Sequence, residues 1–462
     1  MATKISESSA PASRREFLKK TAIATAAVAA APLLRPKVFG QAPSANVTGA
    51  NNRLTLGFIG VGAQGMNAHV NLLTAHASEN NVAFAAVCDV WPKRMNAAKS
   101  FIEGKISGAK VDTFGDYQKL IERKDIDAVV IATHDPIHAS ATIAALESGK
   151  HVYCEKPLTR YLGEAFAVQD VVKKTGKILQ VGSQGCSAQA WHKAAEMVLS
   201  KKIGELIWAQ GYYCRNNPKG EWNYPIDSEA TAENVDWEKW LGQVKKRGAF
   251  DPQHYFRWRK FYPYCAGLLG DLMPHRLHPL MLAMGKPEFP SRVVSIGTKK
   301  VHPDKNFTPP TPERDVPEHI ELLAEFPSGV SLMLACSTVN AKSPGFTLYG
   351  HHASLEIGNV GERIELKPEK EFSEEVDPES FDGLKPTESI EAHHKNWTDC
   401  IRANKQPNCG IDLAVRVQTV ISLAEMSDRL KVACLFDEKT RKITTADGKE
   451  VQPLTYGSTE LS

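Results

Sequence analysis

From residue 54 onward, short apolar runs alternate with segments whose apolar positions recur every three to four residues. Residues 54–60, 82–88, 127–133, 151–155 and 178–182 read as buried strands; 63–77, 138–148 and 164–174 read as helices between them. Strands that are apolar throughout, rather than at alternate positions, belong to a parallel sheet covered on both faces. Beyond Val181 the pattern changes. A helix over 188–200 leads to a strand over 204–213 and then a long aromatic loop region, 214–264, which ends at an apolar helix. Strands at 293–296, 320–326, 330–337, 347–349 and 354–357 follow, with hairpin-like turns such as Pro327-Ser328-Gly329, and helices over 390–403 and 413–430 close the pattern. This predicts an α/β chain of two domains. Residues 53–181 are expected to form an N-terminal domain on that parallel sheet, and 182–462 a C-terminal α+β domain on a largely antiparallel open sheet.

The 462 residues are 42% hydrophobic and 24% charged, a balance that excludes a fibrous or disordered chain. The formal charge of +3 is unevenly spread. Residues 1–40 hold seven Lys/Arg against two Glu, so the remainder of the chain sits at −2 and offers no basic footprint for nucleic acid. Ser13-Arg14-Arg15-Glu16-Phe17-Leu18-Lys19 precedes an uncharged, Ala-rich stretch, 21–34, with small residues near Gly40 and Ala42. That is a charged, then apolar, then cleavable segment, too short to span a bilayer, which takes about 20 residues. The arginine pair with Phe-Leu-Lys resembles a twin-arginine signal, which implies export of a folded protein to the periplasm or beyond. Residues 1–42 are therefore assigned as leader and cleavage zone, and 43–52 as linker. The nine cysteines are scattered without a CxxC. Cys88, Cys154, Cys336 and Cys434 sit in apolar runs as small hydrophobes, and Cys400 and Cys409 are a weaker candidate for a bridge. The pairs His351-His352 and His393-His394 lack carboxylates at ligand spacing, so no metal is expected.

Gly60-Val61-Gly62-Ala63-Gln64-Gly65 is a GxGxxG that follows an apolar strand and opens a helix, the context in which it binds a dinucleotide, so 53–181 is expected to be a Rossmann dinucleotide-binding domain. The first glycine makes the turn, the second admits the pyrophosphate, and the third lets helix pack on strand. Asp89 ends the next strand, where a carboxylate accepts from ribose hydroxyls and repels a 2′-phosphate. NAD is favoured, with NADP left open by Lys93 and Arg94 just beyond.

Cys154-Glu155-Lys156-Pro157-Leu158 follows a further strand of this domain. With the glycine fingerprint it resembles the EKP motif of the Gfo/Idh/MocA family of glucose–fructose oxidoreductases and inositol dehydrogenases. Thr133-His134-Asp135-Pro136-Ile137-His138, Gly182-Ser183-Gln184, Trp237 to Gly242, Phe256-Arg257-Trp258-Arg259 and His394 to Ile401 are similar to further segments of that family. The likeness covers residues 53 to 435, and the tryptophan-rich insert looks like its exported branch. The resemblance implies cofactor contacts at Gly60, Gly62, Ala63, Gln64, Gly65, Asp89, Thr133, His134, His138, Glu155, Lys156 and Gln184. It also implies an open sheet face that builds homodimers or homotetramers. Export in folded form implies a tightly held nucleotide.

Asp271 and His275 stand four apart in Gly267-Leu268-Leu269-Gly270-Asp271-Leu272-Met273-Pro274-His275, on one face of a helix expected to start at Asp271. In the family a matching D-x-x-x-H supplies the acid/base histidine and a substrate-binding aspartate. Oxidising a secondary alcohol needs a group that accepts the hydroxyl proton, a role suited to His275 with Asp271 beside it. Lys156 would stabilise developing alkoxide charge. The Leu-Met-Pro spacer departs from the small residues common in relatives. Arg257, Trp258, Arg259 and Tyr264 are candidates for a sugar pocket. The expected function is an NAD(P)-dependent oxidoreductase acting on a CH–OH group of a sugar, cyclitol or sugar derivative. The alternatives are an NAD-dependent glycoside hydrolase that oxidises transiently and eliminates, and a non-catalytic nucleotide-binding protein. Retention of Lys156 leans towards the dehydrogenase.

Overall fold

The computed structural model describes residues 52–458 apart from 246–247 and 308–310, so the leader and nearly all of the linker lie outside the described residues. Strand β1 (Leu54–Ile59) leads into helix α1, which winds as a π-helix over Gly65–Val70 and as an α-helix over Asn71–Ala75. Then come β2 (Val82–Cys88), α2 (Pro92–Lys105), β3 (Asp112–Phe114), α3 (Tyr117–Ile121) and β4 (Ala128–Ile131). They are followed by α4 (Asp135–Glu147), β5 (His151–Glu155), α5 (Leu162–Thr175) and β6 (Leu179–Gly182). Boundaries follow local chemistry. Pro92 occupies the first turn of α2, where its missing N–H costs nothing, and α5 stops at Gly176, whose φ of +66° a residue with a Cβ adopts poorly.

The six strands lie in the order β3-β2-β1-β4-β5-β6, all parallel. β1 and β4 are neighbours from which the chain winds in opposite directions. Their carboxyl ends therefore open into a crevice, the place where open α/β sheets take ligands.

Helix α6 (Gln189–Leu199) and β7 (Leu206–Cys214) enter the second domain. The insert carries α7 (Trp237–Leu241) and α8 (Pro252–Phe256), and is followed by α9 (Leu268–Asp271) and α10 (Pro274–Ala283). Strands β8 (Arg292–Thr298), β9 (His319–Glu325), β10 (Ser331–Ser337), β11 (Phe346–Gly350), β12 (Ala353–Ile357), β13 (Arg363–Pro368) and β14 (Glu379–Asp382) come next. The chain ends with α11 (Ile390–Ala403), α12 (Ile411–Leu430), β15 (Cys434–Asp437) and β16 (Lys442–Thr444). A ten-stranded sheet in the order β14-β13-β12-β11-β7-β10-β9-β8-β15-β16 results, antiparallel except between β7 and β10. Its strands alternate buried and exposed positions. α10 and α12 cover one face, while Val294, Ile296 and Leu323 remain exposed on the other.

Two features depart from the sequence pattern. Asp271 and His275 do not share a continuous helix: α9 ends at Asp271, a turn spans residues 272 and 273, and α10 begins at Pro274. Proline has no N–H to continue the earlier helix and suits the first position of a new one. Helix α11, far along the chain, packs Trp397, Cys400 and Ile401 into the same apolar cluster as Leu56, Phe58 and Val130 of the first sheet.

Candidate active site

At the crevice, Gly60 adopts φ +82°, and a Cβ there would lie 2.8 Å from the backbone of Ala132 and Thr133. A Cβ on Gly65 would meet the Gly60 carbonyl oxygen at 2.1 Å, so only glycine lets α1 sit this close to β1. Gln64 gives its side chain to Glu155 and makes no side-chain cap, and Gly62, Ala63 and Gln64 line the crevice at the positive dipole end of the helix. Asp89 is nearly buried. Its Oδ2 accepts from Val61 N at 2.9 Å and its Oδ1 from Trp91 N at 3.0 Å, which pins the glycine loop to the end of β2. Lys93 is drawn away to Asp227, 2.6 Å, while Arg94 stays beside Gly62 and donates to the Tyr255 hydroxyl at 3.0 Å.

Gly60, Gly62, Gln64, Asp89, Arg94 and Tyr255 line one end of a cleft of about 990 Å³. The insert folds back over it. Trp240 stacks on His134 with ring centroids 4.0 Å apart, and Asp236 N donates to Val90 O at 3.0 Å. A cradle that any Cβ would fill, an uncapped helix start and a carboxylate at the end of β2 fit a dinucleotide. Gly60, Gly62, Ala63 and Gln64 would hold its pyrophosphate, and Asp89 its adenosine ribose.

Midway along the cleft, Glu155 ends β5. Its Oε1 accepts from His69 Nε2 at 2.9 Å and from Gln64 Nε2 at 3.2 Å, and His69 Nδ1 meets His394 Nε2 at 2.9 Å. Burial pushes this carboxyl up, but the hydrogen bonds from His69 and Gln64 and the neighbouring positive charge of Lys156 together outweigh it and leave Glu155 at about 2. The buried file Glu155–His69–His394 thus fixes the strand end that presents Lys156. The π-wound stretch of α1 carries His69, and such an irregular turn re-aims side chains at functional sites.

At the far end, Lys156 Nζ donates to Asp271 Oδ1 and to the Asp271 carbonyl oxygen, both at 2.7 Å. Arg259 Nε reaches the same Oδ1 at 2.8 Å, and Trp222 Nε1 donates to Oδ2 at 2.8 Å. Burial alone would raise Asp271; Arg259 and Lys156 overcome it and hold the carboxyl well below the usual carboxylate range. Burial likewise pulls Lys156 down, but the charge and hydrogen bond of Asp271 together with the Glu155 charge leave it above its ordinary value. His275 lines the cleft with its ring edge-on to Tyr213, and burial together with the Lys156 charge lowers it to about 3. An ammonium has three N–H donors, and two of those on Lys156 are committed to Asp271, so one remains for an oxygen in the cleft. A neutral imidazole stands in the same cleft.

The cleft brings together Gly60, Gly62, Ala63, Gln64, Asp89, Thr133, His134, Glu155, Lys156, Trp258, Arg259, Asp271 and His275. It leaves out five other expected site residues. Arg257 turns away to Tyr224 O, Gln253 and Thr311; Tyr264 is buried against Trp240 with its hydroxyl on His254. His138 lies between the carbonyl oxygens of Pro157 and Thr133, Gln184 supports Tyr153 and Glu155, and Gly65 is packed under Gly60. These five brace the walls. Conversely, Trp222, His69, Asp135 and Arg215 stand at or directly behind the cleft without having been singled out. Asp135 lay within a quoted motif; the others gave no local signal. Among the described residues no group of three His, Cys, Asp or Glu is placed to hold a metal, all nine cysteines are free, and no helix is long and apolar enough to cross a membrane.

The model of the Gfo/Idh/MocA oxidoreductase family matches in both parts, its NAD-binding Rossmann fold over residues 54–183 and its C-terminal alpha/beta domain over 242–432. The chain belongs to this family. As a Gfo/Idh/MocA protein it is 29% identical over 192 residues to an inositol 2-dehydrogenase of Salmonella typhimurium, covering 41% of this chain and 54% of the relative. It is 28% identical over 256 residues to a glycosyl hydrolase family 109 protein of Stenotrophomonas maltophilia, 52% and 53% of the two chains. The chain thus spans about half the length of the curated relatives it matches. In fold it resembles a levoglucosan dehydrogenase crystallised with NADH and levoglucosan, with a TM-score of 0.63 at 18% identity over 82% of this chain and 98% of that one. The crevice at β1 and β4 lies within the part of the chain matched by the family's NAD-binding Rossmann fold.

Proposed function

We propose that this protein is an NAD-dependent oxidoreductase that exchanges a hydride with a secondary alcohol of a sugar, cyclitol or sugar derivative. The observation that carries the reading is the placement of Lys156 and His275 at the end of the dinucleotide cleft, one with a single uncommitted donor, the other neutral. Bound in the cleft, the nicotinamide ring supplies the hydride acceptor. The Lys156 ammonium donates its remaining N–H to the carbinol oxygen and stabilises negative charge as it grows there. His275 accepts the hydroxyl proton, and its low basicity in the free site rises as an alkoxide forms next to it. Asp271 keeps Lys156 charged and in place, and Trp258 and Arg259 offer an aromatic face and a guanidinium to the sugar ring. Asp89, with Lys93 held by Asp227, supports NAD over NADP.

We further propose export by the twin-arginine route to the periplasm, with the nucleotide retained under the insert, and self-association through the open sheet face. The family 109 relatives support a second reading, net glycoside hydrolysis by transient oxidation. One experiment separates the readings. The purified protein is denatured to identify its nucleotide, and the native protein is then screened with cyclitols, sugars and aryl glycosides. Growth of NADH absorbance with a polyol supports the oxidoreductase. Aglycone release without net NADH supports the hydrolase, and a protein that binds no nucleotide rules out both.

A further inference from the structure

Trp222 is 1% exposed and adopts φ +65°, a left-handed conformation that disfavours a bulky residue and persists only where its surroundings impose it. The surroundings here are a buried ionic cluster on both sides of the residue. Arg314 donates to the Glu221 carbonyl oxygen at 2.9 Å and, through Nε, to Asp304 Oδ2 at 2.8 Å. Asn223 donates to Asp304 Oδ1 at 2.9 Å and accepts from Lys260 Nζ at 3.0 Å. Three fully buried charges, Arg314, Asp304 and Lys260, therefore clamp the residues that flank Trp222. The single polar atom of the indole is delivered to Asp271 Oδ2.

We propose that Trp222 is a positioning residue for the reaction: its indole N–H fixes the Asp271 carboxylate in the one rotation that presents Oδ1 to both Lys156 and Arg259. This rests on the oxidoreductase reading above. Each carboxylate oxygen accepts about two hydrogen bonds, so Oδ1 is filled by its two cations and Oδ2 keeps one site beside Trp222. Without the indole donor, Oδ2 is buried and unsatisfied, and the carboxylate regains a turn about its last bond to share both oxygens with the cations. The counter-charge of Lys156 then remains but loses its fixed orientation, and the single free N–H of Lys156 no longer points to one place. An indole suits the task because it donates without adding charge or exchanging a proton with the site.

The test uses the full nucleotide-bound protein in two variants, Trp222→Phe and an isosteric replacement by 3-benzothienylalanine, which keeps the ring volume and lacks the N–H. Lys156 is titrated directly, by acylation with acetic anhydride across pH and mass spectrometry of its peptide. Around Lys156 stand Asp271, Arg259, Glu155, His275 and Asp135; none of them is altered. Both variants are expected to displace the pH at which Lys156 is labelled by about one unit, the size of one hydrogen bond to a charged group. Their kcat should fall about 10- to 100-fold with an alkaline limb displaced the same way, and nucleotide affinity should stay at the parent value. A labelling profile for the benzothienyl variant that coincides with the parent's overturns the proposal, whether or not the Phe variant folds. A parent that oxidises no polyol overturns the oxidoreductase reading instead, and the labelling profile still decides the role of Trp222.

Discussion

Lys156 and Arg259 converge on one oxygen of Asp271, with Nζ and Nε at 2.7 and 2.8 Å, so one buried carboxylate is the shared counter-charge of both cations at the reacting end of the cleft. Asp271→Asn keeps the shape and removes the charge, which leaves two buried cations facing each other. Removing one partner of a buried ion pair costs about 3–5 kcal/mol. The variant should unfold at a clearly lower temperature and lose more than about 100-fold in turnover, close to 3 kcal/mol of barrier. Nucleotide binding should survive, because Asp271 is remote from the glycine loop. Thermal unfolding and a fluorescence titration with NADH check both halves.

His275 stays neutral well below its ordinary value because burial and the Lys156 charge oppose its protonation. The rate of the nucleotide-bound enzyme should therefore show no acid limb near pH 6.5, and should hold until the pH approaches more acidic values. His275→Gln should lower kcat by about 10²- to 10⁴-fold, the range for a general base. The sign for stability follows from the same depression. The unfolded chain takes the proton first, so His275 contributes fully above its ordinary value, and that contribution is lost as pH falls towards about 3. Urea unfolding of parent and variant at neutral and acid pH measures the difference.

How much of this was legible in the chain depends on the range of the interactions. Gly60 and Gly65 could be read because strand, turn and helix are contiguous and the steric demand is local. Lys156 could be read because it ends a strand whose apolar run is unmistakable. The Asp271–His275 spacing misled, since a four-residue interval suggests one helix where Pro274 starts a second. Arg257 and Arg259 look equivalent in sequence, yet the tight turn over Trp258–Lys260 sends them to opposite sides. Trp222 acts on a residue 49 positions away, and α11 joins the first core from more than 200 positions beyond it; no periodicity encodes either meeting.

Asp135 begins α4 against α9, and its Oδ2 is buried without a hydrogen-bond partner among the described residues. Burial lifts it to about 7 although Arg259, Lys156 and Arg160 pull the other way, with Asp271 adding to the rise. A carboxyl raised on folding gives its full contribution below its unfolded value and loses it as pH climbs through the folded one. Asp135→Asn should therefore match the parent near pH 4 and exceed it near pH 8. The gain is on the order of 2–4 kcal/mol for a shift of this size. Differential scanning calorimetry at the two pH values checks it, and an equal effect at both would show that ionisation of Asp135 is not the cause.

Arg160, four residues beyond Lys156, forks onto both oxygens of Glu425 in α12 at 2.7 Å, and donates through Nη2 to the Tyr262 carbonyl oxygen at 2.8 Å. Arg429 adds a 3.1 Å contact to Glu425. One fully buried guanidinium thus ties the segment after β5 to α12 and to the insert that lines the cleft. Glu425→Gln should cost about 3–5 kcal/mol, since Arg160 and Arg429 are left charged without an anion. Arg160→Lys should fall between, because an ammonium cannot bond two oxygens as a planar fork. The double change Arg160→Met with Glu425→Leu removes both charges of the pair and should recover a large part of the stability lost by either single change. Turnover separates holding the fold from holding the site. If the fork also sets the position of Lys156, the double variant regains its melting temperature but not its kcat; if both return together, the pair serves stability alone.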